Sequence, residues 1–122
     1  MLSPIRLAKS FRYALVGLKK VFIEEQNFQV HVLVTVVVVL LGWYFQISSW
    51  QWAILILLIA FVLILEIINS IIERLIDLLK PRIHEYVKDV KDMGAALVFI
   101  GALAALLIGL IIFLPYILSI II

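Results

Sequence analysis

Apolar residues run almost unbroken through three stretches of this chain, and the polar residues gather in the segments between and before them. The N-terminal segment has a different rhythm. Leu7, Phe11, Leu15, Leu18 and Phe22 recur at three- and four-residue spacings, with Arg6, Lys9, Arg12, Lys19 and Lys20 at other positions. That pattern predicts an amphipathic helix over residues 1–26. Such a helix would lie in the headgroup layer, with its basic side drawn to anionic lipid. The competing reading is a helix packed on other protein. The apolar stretches that follow favour the membrane surface.

Those stretches predict spans at 30–46, 50–78 and 93–121, the second continuing as a helix beyond the membrane. The first has a core from Val30 to Phe45, which at ~1.5 Å per residue reaches ~24 Å, so its flanks must help cross a ~30 Å hydrocarbon layer. Trp43, Tyr44, Trp50 and Trp52 surround the Gln46–Gln51 turn and read as an interfacial aromatic belt. In the third span, Gly94, Ala95, Ala96, Gly101, Ala102, Ala104 and Ala105 would allow close helix contact. Pro115 is expected to kink or fray its last turns. A polar loop is expected over 79–92, with Pro81 as the helix breaker. The fold class is therefore all-α integral membrane: a surface helix plus three transmembrane helices in one domain, residues 1–122.

Composition sharpens this picture. The 122 residues are 66% hydrophobic and 15% charged, whereas a soluble domain is nearer half apolar and a quarter charged. A net charge of +2 offers little to nucleic acid. Cysteine is absent, which removes disulfides, thiolate metal sites and a Cys nucleophile. The first apolar run is broken by Arg6, Lys9 and Arg12 and does not read as a signal peptide. All ten Lys and Arg lie in the N-terminal segment or between Arg74 and Lys91. By the positive-inside rule both segments are cytoplasmic and the C-terminus is outside.

Chemistry is suggested where the second span leaves the membrane. Glu66, Asn69, Glu73 and Asp77 fall at i, i+3, i+7 and i+11, one face of a helix. Acids at membrane depth are expensive and are functional candidates by default. Glu66 falls just inside the cytoplasmic boundary, where partial desolvation would make it a stronger base toward a lipid hydroxyl. The bland alternative is a buried carboxylate paired with a neighbouring helix. Glu73 and Asp77 suit a hard cation such as Mg²⁺, or are simply solvated acids. Glu24 or Glu25, at the end of the surface helix, could join a metal site. Lys91, beside Asp92, could hold phosphate oxygens, or be a snorkelling anchor with a counter-charge. His31 reads as an ordinary interfacial polar residue, and His84 as a loop residue; the two lack metal-ligand spacing. Neither phosphate-loop motif, G-x-x-x-x-G-K-[ST] or G-x-G-x-x-G, is present.

These residues together resemble the small integral-membrane lipid kinases of bacteria, the prokaryotic diacylglycerol kinase and undecaprenol kinase family. The signature is Glu66-Ile-Ile-Asn69-Ser70-Ile-Ile-Glu73, then Asp77, then Lys91-Asp92, supported by Arg6, Lys9, Gly17, Glu25, Asn27 and Phe28. The resemblance covers nearly the whole chain. It implies a homotrimer with shared active sites in the inner (plasma) membrane, transferring the γ-phosphate of ATP to a lipid hydroxyl with Mg²⁺. It also implies roles: Glu66 as general base with Asn69 beside it, Glu25 and Glu73 as metal ligands. Asn69, Asp77, Lys91 and Asp92 would contact nucleotide or phosphate, with Arg6 and Tyr13 as further contributors. The run Asn27-Phe28-Gln29-Val30-His31 and the ending Gly109 to Pro115 are similar to the undecaprenol kinase branch, with diacylglycerol the alternative acceptor. Ile71 and Leu97 stand where the family has Ala; in a tight helix contact each would cost ~1–3 kcal/mol. A non-enzymatic membrane subunit, a small transporter or an inactive relative would each share the composition. A scaffold has no need of the polar face, however, and a transporter would need a polar path that spans one and three lack.

Overall fold

The computed structural model describes residues 2–79 and 84–122, and among these every regular element is a helix. Helix α1 is Pro4–Glu24, α2 is Gln26–Phe45, α3 is Ser49–Leu79 and α4 is His84–Ile121. The expectations on Lys80, Pro81, Arg82 and the His84 side chain lie outside the described residues. Helices α2, α3 and α4 (from Glu85) are long and apolar enough to cross a membrane, and α3 is central, packing on both α4 and α2. The N-terminal helix forms as expected: Ser3 caps it and Pro4 opens it, a position where the missing proline N–H costs nothing. Its residues bury nothing within the protomer.

The elbow between α1 and α2 is a single residue, Glu25, in extended conformation. Gln29 fastens it. Its side-chain Nε2 donates to the carbonyls of Phe22 (2.9 Å) and Ile23 (3.3 Å), which α1 leaves unpaired in its last turn. At the other end of α2, Gln46 takes a left-handed conformation, φ 53°, while Gln46 N–H donates to Trp43 and Ile47 N–H to Gly42. This pair of bonds is a Schellman cap, a position that favours glycine. Gln46→Gly is therefore expected to stabilise the protein by about 1 kcal/mol, read as a higher midpoint of thermal unfolding in detergent.

A reciprocal cap starts α3. Ser48 N–H donates to Oε1 of Gln51 (3.0 Å), and Gln51 N–H donates to Oγ of Ser48 (3.3 Å). The Tyr116 hydroxyl donates to the same Gln51 oxygen at 2.6 Å, tying α4 to the start of α3. Beneath these caps lies the apolar core: Ile47, Leu55, Ile112 and Phe113, flanked by Phe45, Trp52 and Tyr116. This cluster sits at the aromatic end of the bundle, while Phe28, Val62, Ile76 and Val87 are buried elsewhere along it.

One expectation changes. The loop placed over 79–92 is in part helix, because α4 already begins at His84. Past Pro81 nothing opposes helix formation: Glu85 suits the first turn, and Lys88 pairs with Asp92 at i+4 and 3.0 Å. Helix α4 continues through Pro115 to Ile121, where the third span was expected to end. Among the small residues, Gly94 and Gly101 make the closest approaches to α3. A Cβ on Gly94 would strike Oδ1 of Asn69, and one on Gly101 would strike Leu65. Ile71 and Leu97 are 52% and 38% exposed, so their added bulk faces away from the α3–α4 contact and does not overpack the protomer.

Candidate active site

The polar face expected on α3 forms a graded series. Glu66 and Asn69 are buried, Glu73 is half-buried and Asp77 is exposed. The helix carries its carboxylates from the protein interior to solvent over three turns. Two neighbouring helices, α2 and α4, meet this face at different levels.

Glu66 is met by α2. Its side chain is 3% exposed, and its Oε1 lies 3.1 Å from Nε2 of His31. Carboxylates Glu25 and Glu73 are close enough to repel it electrostatically, while His31 attracts it. Asn69 is met by α4. Its Oδ1 is buried without a hydrogen-bond partner and faces Gly94. An unsatisfied buried acceptor costs about 1–3 kcal/mol, and such groups tend to be kept where a ligand supplies the missing donor.

Asp77 is met by Lys91 of α4 at 2.8 Å. Lys91 also lies within electrostatic reach of Glu73. Asp92, next in sequence, turns instead to Lys88. The sequence placed Lys91 and Asp92 together as an opening pair; the fold sends the cation to the α3 face and leaves the acid on the outer side of α4.

The elbow is met by Arg74. Its Nη2 is 2.6 Å from Oε2 of Glu24 and 3.5 Å from Oε1 of Glu25. The hydrogen bond to Arg74 holds the Glu24 carboxyl below the usual carboxylate range. A depressed carboxyl helps hold a structure above its ordinary pKa and loses that contribution as pH falls through the lowered value. The Glu24 tether is therefore expected to persist at neutral pH and release in acid. Because both groups are exposed, the energy is small; faster hydrogen exchange of the elbow amides on acidification, after correction for intrinsic rate, is the measurement that checks it.

Glu25, Glu66, Asn69, Glu73, Asp77 and Lys91 thus come together at the charged end of α2, α3 and α4. Arg6 and Tyr13 do not join them in the protomer. They are exposed on α1, ~27 Å and ~16 Å along the helix axis from its end at Glu24. Two participants were missed by sequence reasoning: His31 as the partner of Glu66, and Arg74 as the partner of Glu24. The available signal was depth. His31 follows the Glu25 elbow by nearly two helical turns, and Glu66 precedes Arg74 by about two, so neighbouring helices bring both to one level.

Among the described residues, no group of three or more His, Cys, Asp or Glu side chains is arranged to hold a metal unaided. That donor set still fits Mg²⁺, which typically takes one or two protein carboxylates and completes its shell with water and substrate phosphates. Glu25 and Glu73, each within electrostatic reach of Glu66, are hard oxygen donors of the kind such a shell would use.

Comparison with known proteins follows the same lines. The family model for prokaryotic diacylglycerol kinase matches residues 12–113. The chain is 36% identical over 110 residues to an undecaprenol kinase of Bacillus subtilis, covering 90% of this chain and 89% of that one. It is 34% identical over 114 residues to a diacylglycerol kinase of Synechocystis, covering 93% of this chain and 65% of that one. A diacylglycerol kinase of Escherichia coli K12 is 29% identical over 102 residues, 84% of each chain. With its three apolar helices, its buried acid and the span of these matches, the chain belongs to the prokaryotic diacylglycerol kinase family of membrane lipid kinases.

Proposed function

We propose that this protein transfers the γ-phosphate of ATP to the hydroxyl of a membrane lipid with Mg²⁺, and that undecaprenol is preferred to diacylglycerol. The observation that carries the reading is the graded face of α3. A buried carboxylate, Glu66, lies where a lipid hydroxyl can reach it, and Glu73, Asp77 and Lys91 lead outward to the aqueous side. Phosphoryl transfer needs positioning, charge neutralisation and a base aligned on the attacking oxygen. Glu66 would take the hydroxyl proton as the oxygen attacks the γ-phosphorus. Lys91, released from Asp77, would hold phosphate oxygens. Asn69 would accept a hydrogen bond through its unpaired Oδ1. Asp77 would orient the nucleotide, as would Asp92 once released from Lys88. Glu25 and Glu73 would hold Mg²⁺, which when bound would neutralise phosphate charge.

An apolar groove lined by Ile54, Leu57, Phe61, Ile64, Ala104 and Ile108 begins within a turn of Glu66. It would receive the hydrocarbon of the acceptor. The undecaprenol preference is supported by the two-sided coverage of the Bacillus subtilis relative and by the Asn27-Phe28…His31 run. The charged end faces the cytoplasm and the aromatic end faces outward, following the distribution of Lys and Arg. The protein works in the inner membrane as a homotrimer whose sites are shared, and α1 lies in the headgroup layer. Sharing would let Arg6 and Tyr13, distant from their own cluster, serve a neighbouring protomer.

The test is phosphate transfer from labelled ATP by purified protein in mixed micelles, with undecaprenol and diacylglycerol in parallel, each with Mg²⁺ and with excess chelator. Labelled lipid that forms only with Mg²⁺, faster from undecaprenol, is expected. Faster transfer to diacylglycerol would reverse the acceptor assignment. No product from either lipid in an assembled sample would sink the kinase reading.

A further inference from the structure

We infer that His31 is the positioning residue of Glu66: its Nε2–H holds Oε1 of the carboxylate so that Oε2 is left to take the proton of the acceptor hydroxyl. The inference rests on the reading of Glu66 as the base.

The geometry begins with burial. At 3% exposure the Glu66 side chain has almost no water to satisfy it, and the 3.1 Å contact to His31 is the one close polar partner described for its carboxylate. An ionised carboxylate only accepts hydrogen bonds, so the ring nitrogen facing it carries the hydrogen. One oxygen is thereby committed to His31, and the remaining lone pairs are free for a substrate proton. Without that donor, a buried carboxylate beside two others, Glu25 and Glu73, would be pushed to rotate away from them.

His31 is itself well placed to hold a direction. It sits two residues beyond Gln29, whose bonds to Phe22 and Ile23 set the rotation of α2 about the elbow. Its own carbonyl accepts from Thr35 Oγ1 at 2.7 Å, so Thr35 is engaged within α2. The imidazole side chain is 21% exposed and is therefore partly enclosed. Three helices thus act on one carboxylate: α3 carries it, α2 aims it, and the α1–α2 elbow orients α2.

The experiment compares His31→Gln with His31→Asn. The Gln amide nitrogen sits about where imidazole Nε2 does, and the Asn nitrogen falls short of Glu66. Both variants keep a polar side chain at the same depth. kcat and the KM for ATP are measured in micelles with the preferred lipid, beside wild type and Glu66→Gln. His31→Asn is expected to lose kcat by roughly tenfold to a hundredfold, the scale of a small misplacement of a reacting group, with KM for ATP unchanged. His31→Gln is expected to stay within a few-fold of wild type. Equal activity of the two variants would overturn the inference, as would a loss carried by KM for ATP. Near-native activity of Glu66→Gln would instead bring down the base assignment itself, and the inference with it. Thermal midpoint and assembly size of each variant distinguish misfolding from misaiming, and His31→Gln alone then decides through its kcat.

Discussion

Glu66→Gln is expected to lower turnover at least roughly a hundredfold, the lower end of what a positioned general base contributes. The substitution is nearly isosteric. Its side-chain oxygen still accepts from Nε2 of His31 at the place where Oε1 now stands, 3.1 Å away. Burial, which is costly for an unpaired charge, becomes easier for a neutral amide. The variant should therefore assemble and unfold at or above the wild-type midpoint while failing to deprotonate the acceptor. Turnover, thermal midpoint and assembly size measured on one preparation check all three statements. Near-native turnover would defeat the assignment of Glu66 as base, because Gln has no proton affinity to offer.

Gly94→Val is expected to damage both stability and turnover. The α3–α4 approach at Gly94 leaves no room for a side chain: the first added carbon meets Oδ1 of Asn69. Overpacking of this kind costs about 1–3 kcal/mol. Relief would come from rotating the Asn69 amide or from separating the helices. Either response moves Asn69 relative to Glu66, one turn away on the same face. Gly109→Ala supplies the control. It lies on the same helix with nothing within 4 Å of the added carbon, and replacing a mid-helix glycine by alanine gains roughly 0.5–1 kcal/mol. A lowered midpoint and lost turnover in Gly94→Val, with neither in Gly109→Ala, is the expected pair. Wild-type behaviour of Gly94→Val would mean that the close approach carries no function.

The parts of this architecture legible in the sequence were those governed by periodicity within one helix. The helix at the N-terminus, the apolar length of the three spans and the common face of Glu66, Asn69, Glu73 and Asp77 each follow from spacing along a single segment. The partners across helices were not legible. His31 pairs with Glu66 because α2 and α3 run antiparallel with matching depth, and nothing in the run Asn27 to His31 states which helix it will meet. Lys91 chooses Asp77 over its neighbour Asp92 because helix geometry points adjacent side chains about 100° apart. The elbow at Glu25 was hidden for another reason. The amphipathic pattern carries through Gln26 and the apolar run starts at Val30, which hides a break at Glu25, yet Gln29 supplies the carbonyl caps that make a one-residue turn possible. The helical start of α4 at His84 was obscured because charge in 84–92 resembles a solvated loop, while its i, i+4 pairing belongs to a helix.

The two ends of the bundle are joined by different kinds of bond. At the aromatic end, Ser48, Gln51 and Tyr116 form a hydrogen-bonded knot above close-packed Ile47, Leu55, Ile112 and Phe113. At the charged end, α3 meets its neighbours through Lys91–Asp77 and Arg74–Glu24 pairs that water can replace. A bundle fastened in this way has its fulcrum at the aromatic end and its jaws at the charged end. Parting of the helices at the charged end would leave the aromatic-end cluster intact, like a clothes peg whose spring lies at the aromatic end. Entry of a lipid hydroxyl and exit of its phosphorylated form would then share one opening, set by ion pairs that the incoming nucleotide itself competes to break.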